Sequence, residues 1–564
     1  MRISVMRLGI VVAVVALGLA GCGGPGTEPE PGQGEGGGPS AGTLGGPGPA
    51  VSSEPVDGDW LVGDLPAEME SLNPFTSTDL YSSSINGLII ERLLDRDNET
   101  LELEPKIAES WTISEDKLTY TFTMRRDVTF SDGAPLTAHD VKFSFDKLMD
   151  PTTDAPHARN YYQDVTSCEA VDDYTVRFTC NQPYFKHLTM LGGLEIIPEH
   201  IYGTGDFNNH PNNRNPIGSG PYILERWDTG KQVVLVRNEN YWGEKPHVLR
   251  RVYKVITNAD AAFQELARHG LDVMDPLSMT EELWTTRATA ASFEAEFNKF
   301  TYTYPGYRYI GWNMRRPKFA DKRVRRALTM LLDRETIRRE LMYGLAAITT
   351  GCFFVDEPEY NRDIIPWPFD PEGAAALLDE AGWTDTDGDG LRDKGGEPFR
   401  FELQFTASLP IHQQTATVFQ EELAAAGIEM SIRELEWASL LQNVQELEFD
   451  AIMMGWSVGP DPDPYQVWHS SQAVKRGSNH VGFVNAEADE ILEKARLEFD
   501  RDARIRMYHR FHEILHEEQP YTFLFCRKAL VAVDKRFQNT KVYPYGMDSL
   551  EWWVPAAQQR YTGE

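Results

Sequence analysis

The sequence predicts a mixed α/β protein that folds into more than one lobe. The part of the chain that can fold begins at about Trp60 and is roughly 500 residues long, which exceeds what one hydrophobic core usually organises. Short apolar runs such as residues 449–456 are typical of strands buried on both faces. Longer segments such as residues 80–94 and 502–518 show helical spacing. The chain therefore carries both kinds of element.

The first 21 residues predict a secretion signal. Arg2 and Arg7 precede a 13-residue apolar run at 8–20, which is too short to span a bilayer comfortably. The run leads into LAGC at residues 19–22, a motif that resembles the bacterial lipobox. The resemblance implies cleavage before Cys22 and attachment of diacylglycerol to its sulfur. We therefore expect an extracytoplasmic, membrane-anchored lipoprotein, in the periplasm or at the cell surface.

Residues 22–59 predict a flexible tether between the lipid and the folded part. They are rich in Gly, Pro, Ser and Glu and almost free of large apolar side chains, so they cannot bury enough surface to fold. The whole chain has a formal net charge of −32, and loss of the signal peptide removes two arginines and leaves −34. A net charge this negative argues against nucleic acid as a partner and for solubility outside the cytoplasm.

The sequence has few cysteines for an extracytoplasmic chain. Besides Cys22 these are Cys168, Cys180, Cys352 and Cys526, in a compartment that permits disulfides. Cys168 and Cys180 flank the turn of a predicted hairpin, which favours a bridge between them, and Cys352 with Cys526 is the remaining pair. The sequence leaves open whether either bridge forms. No CxxC spacing indicates a redox or metal site.

Short sequence motifs of a recognisable kind occur along nearly the whole mature chain. They are, in order, LEPKIAESW at 103–111, VTFSDGAPLTAHDVKFS at 128–144, PIGSGPY at 216–222, NENYW at 238–242 and FDAIMMGW at 449–456. Together these motifs resemble those of the family 5 extracellular solute-binding proteins, the peptide-binding components of bacterial ABC importers. So many motifs in the same order are not expected by chance.

The resemblance implies an α/β, bilobal, periplasmic-binding-protein-like fold of type II, in the large cluster that has an extra β-rich subdomain. The implied segments are lobe one at 60–310, an inserted subdomain at about 91–215, lobe two at 311–520 and a return to lobe one at 521–564. Residues 307–311 and 521–525, at the two crossings, are rich in Tyr, Ile, Phe and Leu and are predicted to be strands. Two such strands make a hinge, and ligand binds between the lobes, where closure buries it.

The resemblance also implies a receptor that captures a short peptide and delivers it to the ABC permease subunits in the inner membrane. Such a receptor is expected to be a monomer, to need no cofactor and to catalyse no reaction. Related receptors carry nickel chelates, oligosaccharides or other small molecules, and the fold does not choose between them. The sequence therefore leaves the identity of the ligand open.

The stretch FDAIMMGWSVGPDPDPY at 449–465 is the first candidate for ligand contact. Its second half cannot extend the predicted strand, because proline has no N–H for the ladder. In the peptide-binding members of the family that this chain resembles, an aspartate a few residues after a Gly-Trp dipeptide pairs with the ligand ammonium. Here that dipeptide is Gly455-Trp456, and the position that matches the aspartate holds Gly459. Either Asp461 takes that role or the DPDP run is structural. We predict that Asp461 binds the ammonium.

The full set of predicted ligand-binding residues covers this stretch and the walls of the expected cleft. It consists of Trp456, Asp461, Asp463, Tyr465, Trp437, Asn313, Thr76 and Ser77. Thr76 and Ser77 follow a proline in a turn, and the equivalent region lines the cleft in the family.

Residues 512–516 read HEILH, which fits the zinc-binding HExxH pattern. In a zinc metallopeptidase His512 and His516 would bind the metal, and Glu513 would act as the general base. No third histidine follows at the expected spacing, and Pro520 ends the helix four residues later. The metallopeptidase is therefore the weaker hypothesis, and we predict that the protein is not an enzyme.

Residues 385–390 read DTDGDG, which resembles the start of an EF-hand loop. Asp385, Asp387 and Asp389 would supply the oxygen ligands at positions 1, 3 and 5. Position 12 holds Gly396 instead of the usual glutamate. We therefore predict a solvated acidic turn, with calcium binding as the alternative.

Overall fold

The computed structural model describes residues 54–77, 79–407 and 409–561. The predicted signal peptide, the predicted lipidation site Cys22 and most of the predicted tether lie outside the described residues. Within the described part, no helix is both long enough and apolar enough to cross a membrane.

The strands of the described part form four larger sheets and two small pairs. In chain order the strands are β1 (Trp60–Leu65), β2 (Leu94–Arg96), β3 (Leu103–Pro105), β4 (Ala108–Ile113), β5 (Thr119–Met124), β6 (Val165–Asp172), β7 (Thr175–Cys180), β8 (Tyr222–Asp228), β9 (Gln232–Arg237), β10 (Arg250–Val255), β11 (Phe297–Thr303), β12 (Gly306–Trp312), β13 (Ala346–Ile348), β14 (Asp393–Lys394), β15 (Glu397–Pro398), β16 (Arg400–Thr406), β17 (Glu429–Leu435), β18 (Ala451–Ser457), β19 (Tyr521–Phe523) and β20 (Phe525–Asp534). The larger sheets have the orders β1-β10-β9-β8, β4-β5-β7-β6, β11-β20-β13 and β17-β16-β18-β12-β19.

Helices alternate with these strands. The longer helices of the described part are α1 (Leu80–Ile89), α2 (Ala138–Met149), α3 (Ala259–Ala267), α4 (Lys322–Met330), α5 (Pro371–Glu380), α6 (Pro410–Ala425), α7 (Trp437–Glu446), α8 (Ala486–Leu497) and α9 (Arg501–Glu518). Helix α9 begins after Asp500, whose carboxylate accepts a hydrogen bond from the Ala503 N–H at 2.7 Å. It ends at Gln519, which has a left-handed φ of 45°, immediately before Pro520. Local sequence thus sets both ends of this helix.

The apolar run at 449–456 forms the predicted buried strand, β18. Its residues Ala451, Ile452, Met453 and Met454 are all buried. β18 is the middle strand of the five-stranded sheet, between β16 and β12. A strand with neighbours on both sides and helices on both faces needs an unbroken apolar run, as this sequence has.

The chain crosses between two sheets on adjacent strands. β11 and β20 pair antiparallel in one sheet, and their continuations β12 and β19 pair antiparallel in the next. At the crossing, the Tyr304 N–H donates to the Arg527 carbonyl at 2.9 Å, and the Leu524 N–H donates to the Arg308 carbonyl at 2.8 Å. Both predicted crossing strands are therefore present and bonded to each other, which is the arrangement of a two-strand hinge.

The predicted β-rich insertion contains the sheet β4-β5-β7-β6 and a hydrophobic cluster of its own. Phe122 and Phe178 are buried on this sheet, with their ring centroids 6.0 Å apart. The Phe145 ring of α2 covers Phe178 edge-on at 5.7 Å. The predicted lobe boundaries stay a prediction, but this segment buries its own apolar surface.

Neither of the two disulfides that the sequence left open is present, because Cys168, Cys180, Cys352 and Cys526 are all buried free thiols. In the hairpin of β6 and β7, Cys168 lies opposite Phe178, and Cys180 lies opposite Val165. Three residues of β6 or two of β7, about 7–10 Å, therefore separate the two cysteines along the ladder, and the strands lie about a further 5 Å apart. A disulfide requires Cα atoms within about 7 Å. The Cys526 thiol donates to the Tyr304 carbonyl at 3.1 Å instead of pairing with Cys352.

We expect a mature chain that begins after Cys22 to show four reactive thiols when it is unfolded without reductant. The measurement is absorbance after reaction with Ellman's reagent in guanidinium, with a previously reduced sample as the control. Equal counts in the two samples support four free thiols. A count of two or none in the unreduced sample would contradict the structure.

Candidate functional site

The acidic loop, defined as residues 459–464, leaves the end of β18 beside the hinge. β18 ends at Ser457, which lies opposite Gly306 at the start of β12. Within the loop, Asp461 has a φ of 53°, an uncommon left-handed conformation for a residue other than glycine. The loop is followed by a short helix, Tyr465–Trp468. The two loop acids are thereby placed between the five-stranded sheet and the inserted sheet.

Asp461 is paired with an arginine from the other end of the chain. Its Oδ2 accepts a hydrogen bond from Arg96 Nη2 at 3.1 Å, and the two side chains are 25% and 20% exposed. Arg96 closes β2, ahead of the inserted sheet. The carboxylate that the sequence predicts as the ammonium partner thus has a cation of the protein itself beside it.

Asp463 is more deeply buried and makes three hydrogen bonds. Its side chain is only 8% exposed, and its Oδ2 accepts from the Tyr184 hydroxyl at 2.6 Å and from Arg496 Nε at 3.0 Å. Its Oδ1 accepts from the Tyr465 N–H at 3.1 Å. The Arg496 guanidinium also lies over the rings of Tyr184 and Tyr465, at 4.5 and 4.4 Å.

These contacts favour the second interpretation of the DPDP run, that it is structural. Both carboxylates are engaged by arginines. The bonds that join the inserted region to the second half of the chain are those from Arg96 to Asp461 and from Tyr184 to Asp463. The Phe185 N–H adds a bond to the Arg496 carbonyl at 3.0 Å, and the Arg504 guanidinium lies 3.9 Å from the Phe185 ring. The loop therefore fastens two parts of the molecule together.

The aromatic residues at the two ends of the stretch are stacked on histidines. The Trp456 ring is half-buried and parallel to His480, with centroids 6.1 Å apart. The Tyr465 ring stacks on His469 at 4.1 Å. Burial lowers the pKa of His480 to about 4, so this histidine is neutral at pH 7. Trp456 and Tyr465 remain partly accessible, as ligand contacts must be.

The other predicted ligand residues are not gathered in one place. Asn313 is buried and donates from Nδ2 to the Phe449 carbonyl at 2.8 Å, so it serves the fold and not the site. Trp437 begins α7 and is half-buried. Thr76 and Ser77 are half-buried in the turn after Asn73, which accepts hydrogen bonds from both backbone N–H groups.

The HExxH pattern is a packing helix in the structure. His512 is fully buried, its Nε2 lies 2.9 Å from the Thr350 hydroxyl, and its Nδ1 accepts from the Asn361 N–H at 3.2 Å. His516 stacks on Trp367 at 5.3 Å, and Glu513 pairs with Arg510. Both ring nitrogens of His512 are thus used by the fold, which speaks against a zinc site.

In the DTDGDG loop at residues 385–390, the acids that lie close together are not the set predicted from the EF-hand pattern. Asp385 and Asp387 share a group with Asp393, in which one oxygen from each lies within 4.8 Å of the others. Asp389 is outside this group, and its carboxylate accepts from the Leu391 N–H at 2.8 Å. The Asp385 carboxylate accepts from the N–H groups of Gly388 and Gly390. These bonds are those of a tight acidic turn.

Sequence reasoning missed Arg96, Tyr184 and Arg496, the partners of the loop acids. Tyr184 is 279 residues from Asp463, and Arg96 is 365 residues from Asp461. No local pattern links residues so far apart. Arg496, only 33 residues from Asp463, lies in the last turn of α8 and has the appearance of an ordinary surface charge.

The sequence matches a known family and a curated relative over most of its length. Residues 102–477 match the model described as Bacterial extracellular solute-binding proteins, family 5 Middle. The chain is 32% identical over 516 residues to the oligopeptide-binding protein AppA of Bacillus subtilis, which covers 88% of this chain and 92% of that protein.

Two solved structures are similar in fold. The structure of AppA from Bacillus subtilis in complex with a nonapeptide has a TM-score of 0.77 at 31% identity, covering 89% of this chain and 100% of that chain. NikZ from Campylobacter jejuni in complex with Ni(L-His) has a TM-score of 0.76 at 26% identity, covering 88% and 99% of the two chains. The predicted α/β, periplasmic-binding-protein-like fold class is confirmed.

We expect the Arg496–Asp463 pair to show a coupling free energy of roughly 1–3 kcal/mol, because the acid is nearly buried. The measurement is urea unfolding of Arg496→Met, Asp463→Asn and the double variant. The matched control is the exposed pair of Lys142 and Asp146 on α2, changed in the same way, for which about 0.3–0.5 kcal/mol is expected. Equal coupling in the two cycles would show that the loop pair is an ordinary surface pair.

Stability should fall in acid because His512 is buried in its neutral form. Burial lowers the pKa of His512 to about 3 in the folded chain, against about 6.5 when unfolded. The unfolded chain therefore binds a proton first, and the folded chain loses stability as the pH falls from 6.5 towards 3. Between pH 7 and pH 5 the wild type should lose about 2 kcal/mol more than His512→Gln.

Chemical unfolding at both pH values measures this difference. His139→Gln, at an exposed position on α2, is the control and should follow the wild type. Parallel losses in the wild type and in His512→Gln would contradict the buried neutral histidine.

Proposed function

Since this chain belongs to family 5 of the bacterial extracellular solute-binding proteins, we propose that it captures short peptides and delivers them to the permease of an ABC importer. The observation that carries the proposal is the likeness, over about nine-tenths of both chains, to a protein named for binding oligopeptides. The likeness to a nonapeptide complex points in the same direction. The family is one of binding proteins, and the contacts of His512 supply no reason to propose a peptidase.

The physical basis of capture is a shift between open and closed forms. A ligand that contacts both sides of the hinge binds the closed form more tightly and so increases its population. The hinge of β12 and β19 gives the two sides a defined axis, and the acidic loop contributes bonds that exist only when the two sides meet. Closure then buries the ligand and presents a single shape to the permease.

The end of β18 offers backbone to an extended ligand. β16 pairs with β18 only from Ala451 to Met453, while β12 pairs with it as far as Ser457. In the described part of the chain, residues 454–457 therefore have a strand on one side only. A peptide in extended form can add to this open edge through main-chain hydrogen bonds, with Trp456 beside it.

Anchoring and location are part of the same proposal. The LAGC motif would place the lipid on Cys22, and the tether would let a monomeric receptor reach the permease from the membrane surface. The family is extracellular, which agrees with a secretion signal.

A non-peptide ligand is the second candidate. The likeness to a protein solved with Ni(L-His) is almost as close in fold, although lower in identity. The pairing of both loop acids with arginines also argues against Asp461 as the partner of a peptide ammonium, and this supports the second candidate.

Native mass spectrometry of gently purified protein tests the two candidates. We expect co-purified peptides of mixed sequence, released when the protein is partly unfolded and replaced by added peptide after refolding. A chelator wash is the control, because it removes a metal complex and leaves peptide in place. A nickel complex, a sugar or another non-peptide solute without any peptide would overturn the peptide assignment.

A further inference from the structure

A cavity of about 180 Å³ lies beside the strands that lead into the hinge. Its walls come from β1, β10, β11 and β20 and from the segments at 273–276 and 547–552. The volume is well above the roughly 10–15 Å³ that a single water molecule needs, so the cavity has room for a group of several atoms. Tyr302 of its wall lies two residues before Tyr304, whose N–H donates at the crossing to the Arg527 carbonyl. A ligand held at the hinge is therefore close to this cavity.

Two carboxylates line the cavity without a cation paired to them. Asp64 is 3% exposed, and its oxygens accept hydrogen bonds from the Asp275 N–H at 2.6 Å and from the Ser278 hydroxyl at 2.5 Å. The Asp275 carboxylate accepts from the Leu277 N–H at 2.8 Å. These donors are neutral, and in the part of the chain that the structure describes neither acid forms an ion pair. Buried carboxylates without a counter-charge are costly, and a cation in the cavity would lower that cost.

The electrostatics of the two acids agree with a missing counter-charge. Burial, and then the charge of Asp64, raises the pKa of Asp275 to about 7. Burial also raises the pKa of Asp64. Arg527 opposes the rise at Asp275, but its guanidinium is engaged elsewhere. Its Nη2 donates to the Pro276 carbonyl at 3.2 Å, and its Nε lies 3.9 Å from Glu281. The side chains around the cavity therefore give it a negative character.

Aromatic rings form a further part of the cavity wall. Tyr253, Tyr302 and Trp552 line it, and Trp552 is only 2% exposed. The Nε1–H of Trp552 has no hydrogen-bond partner among the described residues, so an acceptor such as a ligand carbonyl would satisfy it. Within those residues no lysine or arginine lies over any of the three rings, whereas Trp227 and Trp367 each have a guanidinium over the ring, at 3.6 and 4.4 Å. Aromatic faces attract cations, so these rings and the two acids favour the same kind of group.

We propose that the cavity receives the side chain of a lysine or arginine of the bound peptide, with its cationic end against Asp275 and its stem along an apolar wall. That wall consists of Leu61, Val531 and Met547. A long basic side chain has an apolar stem and a charged head, so it matches the wall, the rings and the acids together. A bare divalent cation would need more oxygen ligands close together, and the acids of the described part that group closely enough lie in the loop at 385–393. This inference rests on the proposed function and names the class of peptide that the receptor would prefer.

Calorimetric titration with two matched series of peptides tests this inference. Each series is a nonapeptide of alanine and serine with one position changed in turn, to lysine in the first series and to norleucine, the same stem without the ammonium, in the second. At one position the wild type should bind the lysine peptide at least about tenfold more tightly than the norleucine peptide, as expected for one charge-assisted bond. Asp275→Asn should lose this preference. Asp173→Asn, at a side chain that is 74% exposed on the β6–β7 hairpin, is the matched control and should keep it.

A second variant, Met547→Lys, keeps the test decisive if Asp275→Asn is unstable. Met547 is half-buried on the cavity wall, and a lysine there would give the acids an ammonium of the protein itself and so abolish the preference. Thermal unfolding of each variant checks the fold. An unchanged lysine preference in either variant that folds as the wild type does, or no lysine preference at any position in the wild type, overturns the basic side-chain site and leaves the peptide receptor standing. Binding of no peptide of either series by the wild type overturns the peptide receptor itself, and this inference with it.

Discussion

The nearly buried carboxylate of Asp463 is the contact on which the arrangement of this molecule depends most. It bonds at once to Tyr184 of the inserted region, to Arg496 of α8 and to the backbone of Tyr465. A buried charge is stable only when its partners are in place. Separating the two sides would leave the Asp463–Arg496 pair intact, because both residues belong to the second half of the chain, but it would remove the Tyr184 hydrogen bond from Asp463 and would break the Arg96–Asp461 pair. The acidic loop therefore serves mainly to join the two parts of the chain, and less to bind ligand.

The pairing of the loop acids bears on where a ligand would be selected. Asp461 and Asp463 are each paired with an arginine of the protein itself. The open edge of β18 lies directly before this loop. A ligand on that edge would meet backbone groups and the Trp456 ring, and closure would bring the loop contacts together around it.

The sequence predicts local structure well here and long-range contacts poorly. The apolar run of β18, the ends of α9 and both crossing strands follow from residues close to one another in the chain. The sequence could not decide on a bridge between Cys168 and Cys180, because irregularities in the β6–β7 ladder, absent from any sequence pattern, set the register. The partners of Asp461 and Asp463 were missed because each contact joins segments that only the tertiary fold brings together. The HExxH pattern suggested a zinc site from local spacing alone. In the structure His512 is bonded to Thr350 and Asn361 and His516 stacks on Trp367, all of them distant in sequence.

The most direct test of this account is the distance between the inserted sheet and the second half of the chain in the ligand-free protein. Spin labels at Val171→Cys and Val484→Cys sit at positions that are 50% and 66% exposed, while the native cysteines are buried. Double electron–electron resonance should give mainly a short distance in the otherwise wild-type chain, with a smaller population at the longer distance of the open form. Replacement of Arg96 by Met and Tyr184 by Phe should increase the population at the longer distance. An unchanged distribution would show that the acidic loop does not hold the two parts together.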